Sequence, residues 1–284
     1  IAPSITSMKL LAAIRCGEMW APQLARQLAT INQILNGRLS INIISSEMPG
    51  EALDGPSRYA RTLETMTALR TLLSGKRLDI DGEHLQLHVD APRICRDSPS
   101  TPQFYFGGLS DEARDVAAAG ADVYLMWPDT EDVIAETIAD LQQRASTYGR
   151  TLKFGYRVHV VVRETEDEAR SAAAHLISAV DAATGDAIRS RSLDSTSVGV
   201  RRQAELRESA GNDGFVEPHL WTGIGKARSG CGAAIVGTPQ QVIDKIHRYE
   251  AMGIEAFIFS GYPHKDEAQR FAELVLPHLN HGPL

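Results

Sequence analysis

Short apolar runs alternate with longer amphipathic segments along most of this chain, which is the pattern of a parallel sheet connected by helices. The apolar runs predict buried strands, because parallel strands covered on both faces carry few polar positions. These strands are predicted at 8–14, 38–45, 103–106, 121–126, 153–162 and 254–259, with a weaker one at 233–236. Apolar positions at helical spacing predict helices at 21–35, 58–74, 111–120, 130–148, 164–178, 239–252 and 266–279.

Two segments depart from this alternation. Residues 77–89 alternate apolar and polar side chains around Asp81 and Gly82, which predicts a β-hairpin at the surface. Residues 181–230 show weak periodicity and are rich in Ser, Gly and Asp. At about 50 residues this segment is too long for an ordinary connection, so we expect a mobile functional insertion or lid.

The predicted order of elements favours an α/β fold, and 284 residues is the size of a (β/α)8 TIM barrel. Only six parallel strands are well defined, whereas a closed barrel has eight, and the sequence begins almost inside a strand. We therefore expect a single TIM-barrel domain over residues 1–284 that carries insertions and lacks its first two βα units in this chain.

Composition excludes several classes of function. The net charge of −7, without a dense Lys/Arg stripe, argues against a nucleic-acid partner. No apolar run approaches the ~20 residues of a membrane span, and the start of the chain has no signal-peptide pattern. Three widely spaced cysteines predict reduced thiols in a cytoplasmic protein, and no cluster of ligating residues predicts a metal site.

The segment Ser260-Gly-Tyr-Pro-His264 joins the last predicted strand to the last helix. Loops at strand ends carry the catalytic groups of many α/β proteins, which makes Tyr262 and His264 candidates. The alternative is a plain surface turn.

Arg157 and His159 lie two residues apart on a predicted buried strand, so their side chains share one face. Such groups are costly there unless they are paired or face a polar cavity. A core pair satisfied by carboxylates is one interpretation, and an anion-binding cavity is the one we favour.

Three weaker signals lie at other strand ends and loops. Gly107-Gly108-Leu-Ser110 precedes a helix, as in phosphate-binding turns, although Ser110 would also serve as a plain helix cap. Arg228 lies in a glycine-rich segment, where it would either close over an anion or be solvated. Trp127 would either wall a ring-shaped ligand or pack in the core.

Together, these segments resemble the bacterial luciferase-like flavin monooxygenases, and most closely the alkanesulfonate monooxygenases. The resemblance is collinear over roughly residues 8–280. The matching segments are GRLSINIISS (37–46), RYARTLE (58–64), FYFGGLSDEA (104–113), ADVYLMW (121–127), FGYRVHVVVRETEDEA (154–169), LWTGIGKARSGCGAAIVGTP (220–239) and FIFSGYPHKDEAQRFAEL (257–274).

The resemblance implies a TIM barrel, assembled as a homodimer or homotetramer, that binds reduced FMN from a separate NAD(P)H-dependent flavin reductase. With O2 it would desulfonate an alkanesulfonate or sugar sulfonate to an aldehyde and sulfite. Carried over residue by residue, the sulfonate and catalytic pocket would comprise Arg157, His159, Arg228, Tyr262 and His264. The flavin site would comprise Ser45, Ser46, Tyr59, Gly107, Gly108, Ser110, Trp127, Ser260 and Gly261.

The chemistry agrees with these roles, because sulfonate is a permanent anion that two arginines and a histidine suit well. Tyr262 or His264 would act as proton donor or base. The sequence departs from the family pattern at 16–20, at 45–55 and around Cys95, which leaves the organic part of the substrate open. The alternatives are a flavin- or F420-dependent oxidoreductase of another substrate and a flavin-binding protein without turnover.

Overall fold

The computed structural model describes residues 2–48, 50–51, 53–98, 100–190, 197–228, 230–282 and 284. The chain divides into two compact units. The first comprises residues 1–124 and 141–152, and the second comprises 125–140 and 153–282. None of the helices within the described ranges is both long and apolar enough to cross a bilayer.

Four parallel strands form the sheet of the first unit. β1 (Leu10–Arg15) pairs with β2 (Leu39–Ile44), and β2 pairs with β5 (Gln103–Phe106). β5 then pairs with the start of β6 (Val123–Met126). Because these strands run in the same direction, the polar residues that follow β1, β2 and β5 lie at one edge of the sheet.

The helices that follow these strands are α1 (Ala21–Ile34), α2 (Gly55–Leu73), α3 (Arg93–Arg96), α4 (Asp111–Gly120) and α5 (Glu131–Thr147). The predicted hairpin consists of β3 (Leu78–Asp81) and β4 (Gln86–Val89) and lies between α2 and α3 in the chain. The helix starts follow local capping chemistry. The Asp54 carboxylate accepts a hydrogen bond from Ser57 N–H at the start of α2, and Ser110 Oγ accepts from Ala113 N–H, 3.2 Å away, at the start of α4.

The sheet of the second unit is organised around β7 (Lys153–Val162), whose valines are stiff β-branched residues that favour strands. β11 (Ile254–Ser260) pairs in parallel with its first half and β10 (Ala234–Gly237) with its second half. The two short strands β8 (Phe215–Glu217) and β9 (Leu220–Trp221) add an antiparallel edge next to β10.

His159 is the position at which the pairings of β7 with β11 and with β10 meet. It lies opposite Ser260, at the end of β11, and opposite Ala234, at the start of β10. The carboxyl end of β11 therefore delivers the segment after Ser260 directly to His159.

The helices of the second unit follow the predicted order, with additional ones in the insertion. They are the first part of α5, then α6 (Glu166–Leu176), α7 (Ala182–Ser190), α8 (Val198–Glu208), α9 (Pro239–Ala251) and α10 (His264–Leu274). Thr165 with Glu168 and Thr238 with Gln241 form capping boxes that start α6 and α9.

A buried ion cluster ties β8 to α5 and α9. Lys245 is 2% exposed, and its ammonium group lies 2.7 Å from Glu131 Oε1 and 2.6 Å from Glu217 Oε1. Glu217 also accepts a hydrogen bond from the Glu131 backbone N–H at 3.0 Å, and Arg248 pairs with Glu131. Each charge in the cluster therefore has an opposite partner, which a buried charge needs.

Most predicted elements are confirmed to within a few residues. The predicted strands at 103–106 and 153–162 coincide with β5 and β7, whereas the last helix ends at Leu274 and not near 279. The mostly parallel α/β arrangement is confirmed. Barrel closure, the missing first two βα units and the single-domain assignment stay predictions.

The insertion predicted at 181–230 contains regular structure that its weak periodicity did not indicate, namely α7, α8, β8 and β9. Residues 191–196 and Ser229, which belong to this prediction, lie outside the described residues. Its role as a lid stays a prediction.

Candidate active site

His159 is the buried centre of a cationic cluster in the second unit. It is 1% exposed, its Nδ1 lies 2.8 Å from Ser260 Oγ, and its buried Nε2 has no hydrogen-bond partner among the described residues. Burial, followed by the charges of Arg228 and Arg157, lowers the pKa of His159 from 6.5 to about 4. The imidazole is therefore neutral at pH 7, and its bare nitrogen is a position at which a ligand atom would bind.

Arg157 and Arg228 bring positive charge to His159 without a carboxylate to balance it. Both side chains are half-buried. Within the described part of the chain neither guanidinium forms a salt bridge. One alternative is a core Arg–His pair balanced by carboxylates. Among the described residues, no such carboxylate partner is present.

Tyr262 connects Arg228 to His159. The Arg228 guanidinium donates a hydrogen bond to the Tyr262 hydroxyl and lies over the phenol ring, with Cζ 5.8 Å from its centroid. The same ring lies 5.6 Å, centroid to centroid, from the imidazole of His159 and 4.7 Å from that of His264. His264 begins α10 and is exposed, whereas Tyr262 is half-buried.

A buried carboxylate that the sequence analysis missed supports the loop that carries Tyr262. Glu267 is 4% exposed and accepts from Arg163 and Arg270, each at 2.8 Å. A Cβ placed at Gly261 would lie 2.5 Å from the Cβ of Glu267, so only glycine fits this close approach. Acidic residues are common in first helical turns, so Glu267 gives no distinctive sequence signal.

The three cysteines are free and buried. Cys231 Sγ donates to the Arg157 carbonyl oxygen at 3.4 Å, next to the cationic cluster. Burial raises the pKa of Cys231 to about 11, although Arg157 and Arg228 oppose the shift. Burial likewise raises the pKa of Cys16 to about 11 and raises that of Cys95. These thiols are protonated and pack as apolar groups.

In the first unit, Gly108 lies in close contact with Ala113 at the turn between β5 and α4, near the hydroxyl of Tyr59. A Cβ at Gly108 would lie 2.6 Å from Ala113 Cβ and 3.5 Å from the Tyr59 hydroxyl. The backbone of this turn is held by the Tyr124 hydroxyl, which donates to the Gly108 carbonyl oxygen at 2.6 Å. The turn is thus fixed, and only glycine fits at position 108.

Charge around this turn partly favours a phosphate. Ser110 caps α4, and helix N-termini attract anions, but Asp111 in the first turn opposes them. Arg144 neutralises Asp111 at 2.9 Å, and Arg58, with Cζ 5.4 Å from the Tyr59 ring centroid, adds positive charge. The sequence analysis did not single out Arg58. The predicted residue Gly107 is exposed at the start of the turn.

Ser45 and Ser46 follow β2 in the same unit. Ser45 Oγ accepts a hydrogen bond from Thr62 at 2.9 Å, whereas Ser46 is 2% exposed and its Oγ has no partner in the described ranges. A buried hydroxyl without a partner suits a site that a ligand completes. The residues of this turn and of the Ser45–Ser46 segment therefore fit the phosphate and ring of a flavin, and their cofactor roles stay predictions.

Trp127 and Ser260, which we assigned to the flavin, have other contacts in the second unit. A Cβ at Gly199 would lie 3.1 Å from the Trp127 ring, and one at Gly230 would lie 3.2 Å from it. Trp127 therefore packs against α8 and the segment after Arg228, while the Ser260 hydroxyl contacts His159. Their flavin roles, like that of Gly261, stay predictions.

The cluster of the second unit offers a ligand mainly hydrogen-bond donors. These are two guanidinium groups, a neutral imidazole whose free nitrogen is Nε2, and a phenol. Such a set binds an oxyanion, because charged donors to oxygen form the strongest hydrogen bonds.

Comparison with known proteins agrees with this geometry. The family model described as luciferase-like monooxygenase matches residues 2–256. A sulfoquinovose monooxygenase of Novosphingobium aromaticivorans is 60% identical over 291 residues, covering 100% of this chain and 80% of that protein. A sulfoquinovose monooxygenase of Agrobacterium fabrum is 49% identical over 280 residues, covering 98% of this chain and 73% of that protein.

Among solved structures, the EDTA monooxygenase of Chelativorans sp. BNC1 superposes with a TM-score of 0.78 at 17% identity, covering 98% of this chain and 74% of that one. At this identity the likeness shows the fold alone. The family match and the two relatives establish that this chain belongs to the luciferase-like monooxygenase family.

Proposed function

We propose that this protein is a two-component monooxygenase that uses reduced FMN and O2 to desulfonate an organosulfonate. The observation that carries the proposal is the pair Arg157 and Arg228, which has no salt bridge within the described residues and lies beside the buried, neutral His159. The name of both close relatives, sulfoquinovose monooxygenase, supports a sugar sulfonate as the substrate class.

The cluster recognises the sulfonate through its charge and its three oxygens. Arg157 and Arg228 would donate to the oxygens and balance the negative charge, and Nε2–H of His159 would donate one further hydrogen bond. Because a guanidinium group is a cation with several N–H donors, an anion binds there more tightly than a neutral alcohol of the same shape.

Reduced FMN, when bound, would supply the two electrons for the reaction. One atom of O2 is added to the carbon that carries the sulfonate, and the other is reduced to water. The products are the aldehyde, sulfite and oxidised FMN. Tyr59, Gly108 and Ser110 would hold the phosphate, and Ser46 would contact the ring, since its buried hydroxyl has no partner within the described ranges. Holding the cofactor away from bulk water protects the reaction from wasteful side reactions.

Of the two candidates, Tyr262 is better placed than His264 to act as proton donor or base toward the bound substrate. Its hydroxyl contacts Arg228 and its ring lies next to His159, whereas His264 is exposed. We further propose that an NAD(P)H-dependent flavin reductase supplies FMNH2. The family resemblance suggests a homodimer or homotetramer, which light scattering of the purified protein would measure.

Sulfite release in air tests the proposal. The protein is mixed with FMN, NADH, a flavin reductase and a panel of alkyl and sugar sulfonates, with each component omitted in turn. When NADH is the source of electrons, we expect sulfite only if reductase, O2 and a sulfonate are all present. Photoreduced FMN added without reductase should give the same product, which separates the need for reduced flavin from a need for the reductase itself.

Absence of sulfite from every sulfonate, with measurable binding of reduced FMN, would refute the sulfonate assignment. It would leave a luciferase-like oxidoreductase of another substrate, and turnover with reduced F420 would then identify that alternative.

A further inference from the structure

One face of α8 contacts the chain on both sides of Arg228. Gly199, Gln203 and Arg207 are spaced four residues apart, so they lie on the same face of the helix. Arg207 Nη1 donates to the carbonyl oxygen of Gly225 at 3.2 Å, before Arg228. Gln203 contacts Gly232, after Arg228.

Gln203 uses both ends of its amide. Gln203 is only 6% exposed. Its Nε2 donates a hydrogen bond to the Pro128 carbonyl oxygen at 2.7 Å, and its Oε1 accepts one from the Gly232 N–H at 2.9 Å. The amide therefore bridges the segment after β6 to the segment before β10. A buried amide with both groups satisfied holds its two partners in one arrangement.

Neighbouring contacts fix α8 to the same place. The Arg202 guanidinium binds the buried Asp129 carboxylate in a bidentate fashion, at 2.7 and 2.8 Å. The Trp127 ring lies against both Gly199 of α8 and Gly230 of the segment after Arg228. The helix, the turn at 128–129 and the Arg228 segment thus form one connected contact network.

We propose that Gln203 is the positioning residue of Arg228. By fixing Gly232, it holds residues 225–228 and 230–232 so that the Arg228 guanidinium reaches Tyr262 beside His159. The catalytic consequence rests on the proposed function. The positioning itself is a property of the chain and is measurable without substrate.

The substitution Gln203→Leu removes both hydrogen bonds at similar volume. Its matched control is Gln240→Leu, because the exposed Gln240 amide donates to Asp244 on its own helix. Peptide-resolved tryptic cleavage after Lys226 and Arg228, with hydrogen exchange of the Gly232 amide, measures how often the segment opens. We expect about tenfold faster cleavage and exchange in Gln203→Leu and no change in Gln240→Leu.

A second variant keeps the test decisive if Gln203→Leu folds poorly. Gln203→Met also removes both hydrogen bonds, but its flexible side chain refills the space without a charge, so its opening rate should match that of Gln203→Leu. Rates equal to wild type in both variants would overturn the proposal.

Kinetics then separates positioning from simple stability. In Gln203→Leu we expect the KM for a sulfonate to rise about tenfold, with the affinity for FMN unchanged, because Arg228 remains but is displaced. Faster opening with an unchanged KM would overturn the role toward Arg228. Wild-type protein that releases no sulfite would refute the proposed function alone, and the cleavage and exchange rates would still decide whether Gln203 holds the segment.

Discussion

The imidazole of His159 and the hydroxyl of Ser260 lie 2.8 Å apart, between Nδ1 and Oγ. The parallel register of β7 and β11 places the two residues opposite each other. Because the imidazole is neutral at pH 7, only one of its nitrogens carries a proton. A hydroxyl that donates to Nδ1 leaves the proton on Nε2, the atom that has no partner among the described residues. Ser260 would thereby aim a hydrogen-bond donor at the anion site.

Ser260→Ala should therefore weaken sulfonate binding. We expect the KM for the sulfonate to rise about tenfold, because one hydrogen bond to an anion is lost or misdirected. The nitrogen chemical shifts of His159 should show a mixture of tautomers in place of one. Ser171→Ala, at an exposed position of α6, is the control. Unchanged tautomer populations would show that Ser260 does not set the proton position.

Removing the guanidinium group of Arg157 or of Arg228 should abolish most of the activity. For Arg157→Met and Arg228→Met we expect kcat/KM for sulfite release to fall about a hundredfold each, as for loss of strong charge-assisted bonds to an anion. The pKa of His159 should rise in both variants, because each guanidinium opposes its protonation. Arg201→Met, exposed on α8, serves as control. Full activity in either variant would contradict an arginine-based sulfonate site.

Acid should destabilise the folded protein through His159. Its pKa lies at about 4 when folded and at 6.5 in the reference state, so the unfolded chain binds the proton more tightly. The contribution of His159 is complete above pH 6.5 and is lost progressively as the pH falls toward 4, by at most about 3 kcal/mol.

Urea unfolding between pH 4 and 7 measures this contribution. In His159→Gln the free energy of unfolding should fall less steeply with decreasing pH than in wild type. Parallel curves for the two proteins would show that His159 titrates normally in the folded state.

Gly108→Ala should impair FMN binding. The added Cβ would lie 2.6 Å from Ala113 Cβ, so it forces the turn that we propose to hold the phosphate away from α4. Gly55→Ala is a matched control, because a Cβ there meets nothing within 4 Å. We expect the Kd for FMN, measured by fluorescence quenching, to rise at least about tenfold in Gly108→Ala, because one or two hydrogen bonds to the phosphate are lost. Equal affinities in the two variants would place the phosphate elsewhere.

Lys245→Met should lower the free energy of unfolding by about 3 kcal/mol, because it leaves a partly buried carboxylate without its cation. Glu131 would keep Arg248, whereas Glu217 would lose its cation. Lys153→Met, which removes a distant and exposed pair with Glu255 at 3.9 Å, should change stability little. Thermal and urea unfolding of both variants provide the comparison. Comparable losses would mean that the buried cluster contributes no more than a surface pair.

The sequence predicted the elements of the second unit better than the contacts between them. The Val-rich run of β7 and the two residues Arg157 and His159 on one of its faces follow from local composition and the two-residue strand period. The contact between His159 and Ser260 does not follow from local sequence, because Ser260 lies 101 residues away and the contact depends on the register of β11.

Gln203 illustrates the same limit within the insertion. A glutamine on a polar helix gives no signal of burial, and its two partners are backbone groups of distant segments. Backbone partners leave no mark in residue identity, so only the packed structure reveals them.

Burial of the thiols affects how readily hydrogen peroxide, a by-product of flavin oxidation, inactivates the enzyme. Reduced flavin that meets O2 without a substrate forms hydrogen peroxide, which oxidises thiolates much faster than thiols. With pKa values of about 11, Cys16 and Cys231 hold roughly one thiolate in ten thousand molecules at pH 7. Cys231 can therefore lie next to the cationic cluster and remain unoxidised through many unproductive cycles.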